Sequence, residues 1–219
     1  MTAPATLAQL TALLGHSALW FDPPPFDAAV CEGLGPTLGP GTPHRRLLEL
    51  KNGAYLWDGA LHLFGACERP TWHSLRAWNA PSTWRDTYGE LTGTLAFFAE
   101  DAFGDQYAYR DRGGEVVVFE AELGRVSTVA PSFLAWVEVM LEHGREILPV
   151  DLLARQSGEG KRSTPGQQHF AYPPLCTVES LQGVEVGHVD AVEAMRFRGQ
   201  LARTLHHLPL GTRVKIEVD

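Results

Sequence analysis

The chain has 219 residues, 44% of them hydrophobic and 20% charged, a composition typical of a folded protein with one good-sized core. Its 26 acidic and 18 basic residues give a formal net charge of −8, which disfavours nucleic acid and anionic lipid as partners and favours a basic protein. The three cysteines are far apart and form no CxxC pair, so neither a zinc site nor a disulfide framework is indicated. The chain begins without a signal-peptide pattern, and no apolar run approaches the ~20 residues that cross a bilayer. We therefore expect a cytoplasmic protein without membrane contact.

Two short helices are predicted before residue 54. Leucines recur with helical spacing over 6–14, which predicts the first helix. Thr42 before Pro43 resembles an N-cap followed by proline at the first helical position, and the helix that starts there is expected to end at Asn52-Gly53. Between the two helices, 22–43 is so rich in proline and glycine that we expect a loop.

Strands are predicted through the centre of the chain. Segments 54–57 and 60–64 flank Asp58-Gly59, which is typical of a hairpin with a type I′ turn. The aromatic-rich stretch 67–90 is expected to be irregular or to form short helices whose aromatic rings cover a sheet face. Alternating or apolar runs predict the later strands over 94–99, 106–110, 115–122 and 125–129.

The strongest helical pattern follows these strands. Apolar residues at i, i+3, i+4, i+7 and i+8 between Phe133 and Leu141 form a continuous stripe, so we expect the core helix here. Ser132 is expected to open this helix, and Gly144 is expected to close it.

The C-terminal region is expected to be an appended unit. The polar segment 157–168 has neither helical nor strand periodicity and favours a linker. An irregular or extended stretch, a helix over 189–206 and a closing strand over 212–218 are predicted after it. This pattern gives a domain over 1–148 with its core at about 40–148, a linker over 149–168 and a C-terminal extension over 169–219.

Several short motifs follow one another in a recognisable order. They are Leu47-Leu48-Glu49-Leu50-Lys51-Asn52-Gly53, Tyr55-Leu56-Trp57, Leu61-His62-Leu63-Phe64-Gly65, and Phe98 through Tyr107 with Gly104-Asp105. This order over 40–148 resembles the SUKH superfamily, which includes bacterial immunity proteins and a yeast regulator of cell-wall synthesis. The resemblance implies an α+β fold in which helices flank a twisted antiparallel sheet, with a small α/β extension at the C-terminus.

The resemblance also implies a function. Members of the superfamily use a cleft to bind other proteins, and most bacterial members neutralise a toxin, so we expect an immunity protein with no catalytic residues and no cofactor. Two alternatives stay open. An intracellular regulatory scaffold would use the same cleft, whereas a hydrolase would place His62 or His73 within hydrogen-bond reach of an Asp or Glu.

The loop after the third predicted strand carries three carboxylates, Glu100, Asp101 and Asp105. One interpretation is local: Asp101 caps a turn and Gly104-Asp105 supplies the hairpin geometry, because Asp and Gly suit turns. The other interpretation is that the three carboxylates face a basic partner and speed its association. Tyr107, in the next strand, belongs to the same hypothetical partner-binding surface.

Three tryptophans, Trp72, Trp78 and Trp84, allow two interpretations as well. Large aromatic residues are more often buried packing than exposed anchors, so we favour a lid over the core. The alternative is that they anchor a partner, because binding energy concentrates in Trp, Tyr and Arg.

Histidine and arginine positions suggest neither a metal nor a phosphate site. The nine histidines show no HExxH or HxxxH spacing, so we predict no metal ion. Arg196, Arg198 and Arg203 occupy one predicted helix, where we expect them on a solvated face that balances the acidic chain.

Overall fold

Residues 3–32, 34–111, 113–158, 164–209 and 211–214 are described by the computed structural model. Their largest element is a six-stranded antiparallel sheet in which every strand pairs with the next one along the chain. The strands are β1 (Ala54–Leu56), β2 (Leu61–Leu63), β3 (Ala96–Asp101), β4 (Gln106–Tyr109), β5 (Val116–Glu120) and β6 (Arg125–Ala130). A separate hairpin consists of β7 (Gln167–Tyr172) and β8 (Glu185–Asp190).

Seven α-helices accompany these sheets in the described part of the chain. They are α1 (Ala3–Leu14), α2 (Ala28–Cys31), α3 (Pro43–Leu50), α4 (Leu75–Trp78), α5 (Phe133–Ile147), α6 (Val150–Gly158) and α7 (Ala191–Leu205). The predicted α+β class is confirmed. Among the described residues no helix has the length and apolar character needed to cross a membrane.

Local capping signals explain why two of the predicted helices begin where they do. The hydroxyl of Thr42 accepts a hydrogen bond from the Arg45 amide, and Pro43 occupies the first turn of α3. The hydroxyl of Ser132 accepts one from the Ala135 amide at the start of α5. Both side chains satisfy a backbone donor that has no partner within the helix.

Helices α1, α3 and α5 pack against one face of the sheet. The Phe98 ring meets Trp136 of α5 edge-on at 5.1 Å, and it also contacts His44 of α3. Trp136 is fully buried. This face therefore holds the apolar core that the stripe of α5 predicts.

The other face is covered by 67–93 and by a unit that we call the C-terminal cover, which consists of β7, β8 and α7. Trp78 and Trp84 of 67–93 are fully buried, and their rings are 5.7 Å apart. Helix α7 packs against the 3-10 helix Arg85–Thr92 and against both strands of the hairpin. The polar residues described below lie between the sheet and these coverings.

Two predictions, one of a turn and one of a helix end, are wrong in detail. The connection between β1 and β2 has four residues rather than a two-residue Asp-Gly turn, because Leu56 pairs with Leu61 and Trp57 joins Asp58 in the left-handed region. Gly144 does not end α5, which continues to Ile147. A Cβ at residue 144 would lie 3.0 Å from the Trp57 ring, so this glycine permits close packing on the turn.

The C-terminal region differs from prediction in its elements. Residues 150–158, expected in a linker, form α6, and Gln167 and Gln168 already belong to β7. Residues 159–163 of that segment lie outside the described residues. Of the predicted closing strand, 212–214 are not a strand, and 215–218 lie outside the described residues.

Candidate functional site

Sheet register brings four polar side chains into one line beneath the coverings. Tyr55 pairs with His62, His62 with Glu100, and Glu100 with Gln106. Residues directly opposite each other in antiparallel strands project from the same face. We call Tyr55, His62, Glu100 and Gln106 the buried polar row, since none of the four is more than 7% exposed.

A second histidine, His73, extends this row from His62 toward the end of α3. His62 Nδ1 lies 3.1 Å from Glu100 Oε1, and His62 Nε2 lies 2.9 Å from His73 Nδ1. His73 Nε2 donates to the backbone carbonyl of Asn52 at 2.9 Å. Burial lowers the pKa of both histidines to about 3, because an imidazolium loses its hydration there. Both rings are therefore neutral at physiological pH.

The other oxygen of Glu100 connects the row to the C-terminal cover. Glu100 Oε2 accepts hydrogen bonds from Gln106 Nε2 at 3.0 Å and from Gln168 Nε2 of β7 at 2.6 Å. Tyr55 adds a second connection, since its hydroxyl accepts from the Gly166 amide. Burial raises the pKa of Glu100 to about 7 against the opposing effect of the two amides and of Arg198. A large fraction of the molecules thus carry a neutral acid here at pH 7.

Arg198 of α7 is buried rather than on a solvated face, so that prediction is wrong for this residue. Its guanidinium donates to Gln168 Oε1 and to the His169 carbonyl. Gly104 lies against it at φ +95°, where a Cβ would be 2.7 Å from Arg198 Nη1. The loop glycine therefore serves both a positive φ and the close approach of a charged side chain.

The turn after β3 is organised by its own carboxylates. Asp101 Oδ1 accepts from the amides of Phe103 and Asp105, and Asp105 Oδ1 accepts from the amide of Ala121. The Asp101 contacts are the local turn cap that the sequence suggests, whereas the Asp105 contact reaches the end of β5. Burial raises the pKa of both carboxyls, and the Asp101 charge raises that of Asp105 further. The Arg198 guanidinium thus faces three carboxyl groups, those of Glu100, Asp101 and Asp105.

A groove of about 460 Å³ opens beside this turn, and we call it the acidic groove. It lies where the β3–β4 turn, the end of β5, the α5–α6 junction and the β7–β8 connection meet. Two of its apolar side chains, Ile147 and Leu175, are 49% and 41% exposed. None of the described residues that line it is basic. The carboxyl groups along it belong to Asp101, Asp105, Glu120, Glu122 and Glu146.

The structure separates the seven candidate partner-binding residues. Only Asp101 and Asp105 line the acidic groove. Glu100 is buried in the polar row, and Tyr107 packs against Trp136 on the opposite face of the sheet. The three tryptophans lie outside the groove: Trp78 and Trp84 are fully buried, and Trp72 is half-buried against Tyr55 and His62.

Sequence reasoning missed most of the groove. Glu120, Glu146, Ile147 and Leu175 come from three separate segments, and each has an ordinary local context. Nothing in the spacing of the chain joins them. The acidic balance of the sequence is the one signal that points toward such a surface.

The hydrolase alternative meets its geometric condition, because His62 is within hydrogen-bond reach of Glu100. However, His62, His73 and Glu100 are 2%, 0% and 4% exposed, so a substrate cannot reach them in this conformation. The described residues contain no group of three or more His, Cys, Asp or Glu side chains arranged to hold a metal ion.

Comparisons with known proteins identify no relative. No family model matches the chain, and no curated protein and no solved structure matches it. The resemblance to the SUKH superfamily stays a prediction.

Proposed function

We propose that this chain is a protein-binding module without chemistry of its own, and that the acidic groove takes a basic segment of its partner. The observation that carries the proposal is the lining of the groove, in which five carboxyl groups stand beside exposed Ile147 and Leu175. A partner segment with basic and apolar side chains complements such a surface.

The charge balance beneath the groove adds to this argument. Burial raises the pKa of both Asp101 and Asp105, and the charge of Glu100 raises that of Asp101 further, as the charge of Asp101 does for Asp105. A Lys or Arg side chain that enters the groove would supply a positive charge next to them. Binding would therefore relieve an unfavourable arrangement in the free protein.

The partner we propose is a toxin that this chain neutralises by covering a basic active face. Support for this finer step comes from the order of motifs over 40–148 and from the net charge of −8. An intracellular regulatory scaffold would use the same groove, and the partner's identity separates the two roles.

Co-expression with the product of the neighbouring gene tests the proposal. Rescue of growth together with co-purification supports immunity, whereas a stable complex with a non-toxic product supports the scaffold. No complex with any partner found by pull-down would contradict a protein-binding role.

Charge reversal then tests the groove. Glu120→Lys with Glu146→Lys should slow association with the partner about tenfold or more at low salt, because like charges now meet. Glu32→Lys with Glu90→Lys, which reverses two exposed carboxylates that do not line the groove, serves as the control with the same change in net charge. Equal association rates for both variants would move the binding site elsewhere.

A further inference from the structure

Hydrogen positions in the buried polar row follow from groups that can only donate or only accept. Trp78 Nε1 donates to Gln106 Oε1 at 2.9 Å, and Arg198 donates to Gln168 Oε1. Tryptophan and arginine have no acceptor, so both glutamine amides turn their NH₂ groups toward Glu100 Oε2. That oxygen receives two hydrogen bonds, which leaves Oε1 as the position for a proton on Glu100.

The opposite end of the network is fixed in the same way. The Asn52 carbonyl can only accept, so His73 Nε2 carries a hydrogen. When the ring is neutral, His73 Nδ1 is an acceptor and His62 Nε2 must donate to it. His62 Nδ1 then has only a lone pair to present to Glu100 Oε1 at 3.1 Å.

The hydrogen-bonded contacts of this network need more hydrogens than two neutral rings and a carboxylate can supply. Three contacts link Asn52, His73, His62 and Glu100, and each contact needs one hydrogen. Two neutral imidazoles bring two. The third hydrogen lies between His62 Nδ1 and Glu100 Oε1, and without it two acceptors face each other across a buried contact.

We propose that this single proton, shared by Glu100 and His62, holds the C-terminal cover closed over the sheet and that its loss opens the cover. The inference stands apart from the proposed function, since it concerns closure of the fold and not the groove's partner.

The surroundings of Glu100 determine which part of the molecule responds. His62 faces it from β2, Tyr55 lies beyond on β1, and Gln106 faces it from β4. Gln168 of β7 and the positive charge of Arg198 on α7 approach from the cover, and Asp101 follows it on β3. His73 lies behind His62 on 67–93.

Once Glu100 has lost the proton that it shares with His62, its ionised carboxylate would need water as a hydrogen-bond donor. Strands β2, β3 and β4, which carry His62, Glu100 and Gln106, are each paired on both sides, whereas among the described strands β7 pairs only with β8. The polar contacts of the row on this side come from Gln168 of β7, from Met195 of α7 and from Gly166, the residue just before β7. We expect water to reach Glu100 by separation of the cover, because that route breaks no strand pairing of the six-stranded sheet.

Glu100→Gln is the matched variant for the test. The amide reproduces the protonated acid, because its NH₂ group can donate to His62 Nδ1 while its oxygen accepts from Gln106 and Gln168. Glu90→Gln, at an exposed position, is the control. The measurement is amide hydrogen exchange in β7, β8 and α7, compared with β3 to β5, between pH 5 and 8.

The quantity to follow is the ratio of the opening constants of the cover in two proteins. The opening constant of the cover in the wild type, divided by that in Glu100→Gln, should rise up to about tenfold per pH unit from pH 5 to 7 and then level off. Titration of the histidines affects both proteins alike and cancels in this ratio. The ratio of wild type to Glu90→Gln should stay flat.

Three results would overturn the inference. They are a flat ratio for Glu100→Gln, an equal loss of protection in β3 to β5, and a Glu100→Gln protein that does not fold although it mimics the neutral acid. An independent reading uses the unaltered protein labelled with ¹³C at its glutamate carboxyl carbons. One glutamate resonance should titrate near pH 7, and the absence of any such resonance would equally contradict the shared proton.

Discussion

Gly104 lies directly against Arg198, so that a Cβ at residue 104 would come within 2.7 Å of Nη1. The two residues are 94 positions apart, and the contact joins the β3–β4 turn to α7. The acidic turn thus lies directly beside the buried guanidinium of Arg198.

This contact makes Gly104→Ala a sensitive substitution. The new methyl group would meet Arg198 and Gln168, and alanine would be strained at φ +95°. We expect a loss of about 2–4 kcal/mol in the free energy of unfolding, measured by urea denaturation. Gly41→Ala is the control, because its φ is +78° but no atom lies within 4 Å of the added Cβ. If both variants lose the same stability, backbone strain alone matters and the contact with Arg198 does not.

Removal of the buried Arg198 guanidinium should lower the free energy of unfolding more than removal of an exposed guanidinium does. Arg198→Met leaves Gln168 and the His169 carbonyl without their donor and three carboxyls without a nearby positive charge. We expect Arg198→Met to lower the free energy of unfolding by about 3 kcal/mol. Arg203→Met, exposed on the same helix, should change stability by less than about 0.5 kcal/mol. Similar losses in thermal or urea unfolding would show that Arg198 has no special structural role.

Acidification should destabilise the protein through its buried histidines. Burial lowers the pKa of His44 to about 3, which is below its ordinary value of 6.5, so its contribution to stability is present above pH 6.5 and is lost as pH falls. His44→Gln should therefore remove about one proton from the uptake on unfolding between pH 4.5 and 5.5, and less as pH approaches 6.5. Urea unfolding at several pH values measures this uptake. Equal slopes for wild type and His44→Gln would refute the assignment.

Binding of the proposed basic partner should release protons. Because Asp101 and Asp105 have raised pKa values in the free protein, a positive charge in the groove would lower them and drive protons off. Affinity should thus increase as pH rises through neutrality. Calorimetry in two buffers of different ionisation enthalpy gives the number of protons released. Asp105→Asn should reduce the number of protons released, whereas Glu90→Gln should not. If Asp105→Asn released as many protons as the wild type, the titrating group would lie elsewhere.

Features with a local cause were predictable from the sequence. The start of α3 at Thr42-Pro43 and that of α5 at Ser132 each depend on a few adjacent residues, and the apolar stripe of α5 needs no distant partner. The strands after residue 94 follow their alternation within one or two residues. Asp101 also forms the predicted turn contacts, because the amides that donate to its carboxylate lie within four residues.

Features that depend on distant pairing were not predictable. Glu100 has the same local context as an exposed loop carboxylate, and only His62, Gln106 and Gln168 make it a buried group. Arg198 has helical neighbours of ordinary polarity and is buried because Gly104 leaves room for it. The acidic groove likewise arises from segments that approach one another only in the folded chain.

One wall of the acidic groove comes from Leu175 and Cys176, which lie between the two strands of the C-terminal hairpin. A chain that ends near residue 148 would keep Asp101 and Asp105 but would lose this wall and the cover over Glu100. During synthesis, therefore, the proposed binding surface cannot be complete until residues 149–205 have left the ribosome and folded back on the sheet. Partner recognition would be restricted to molecules in which this segment has folded.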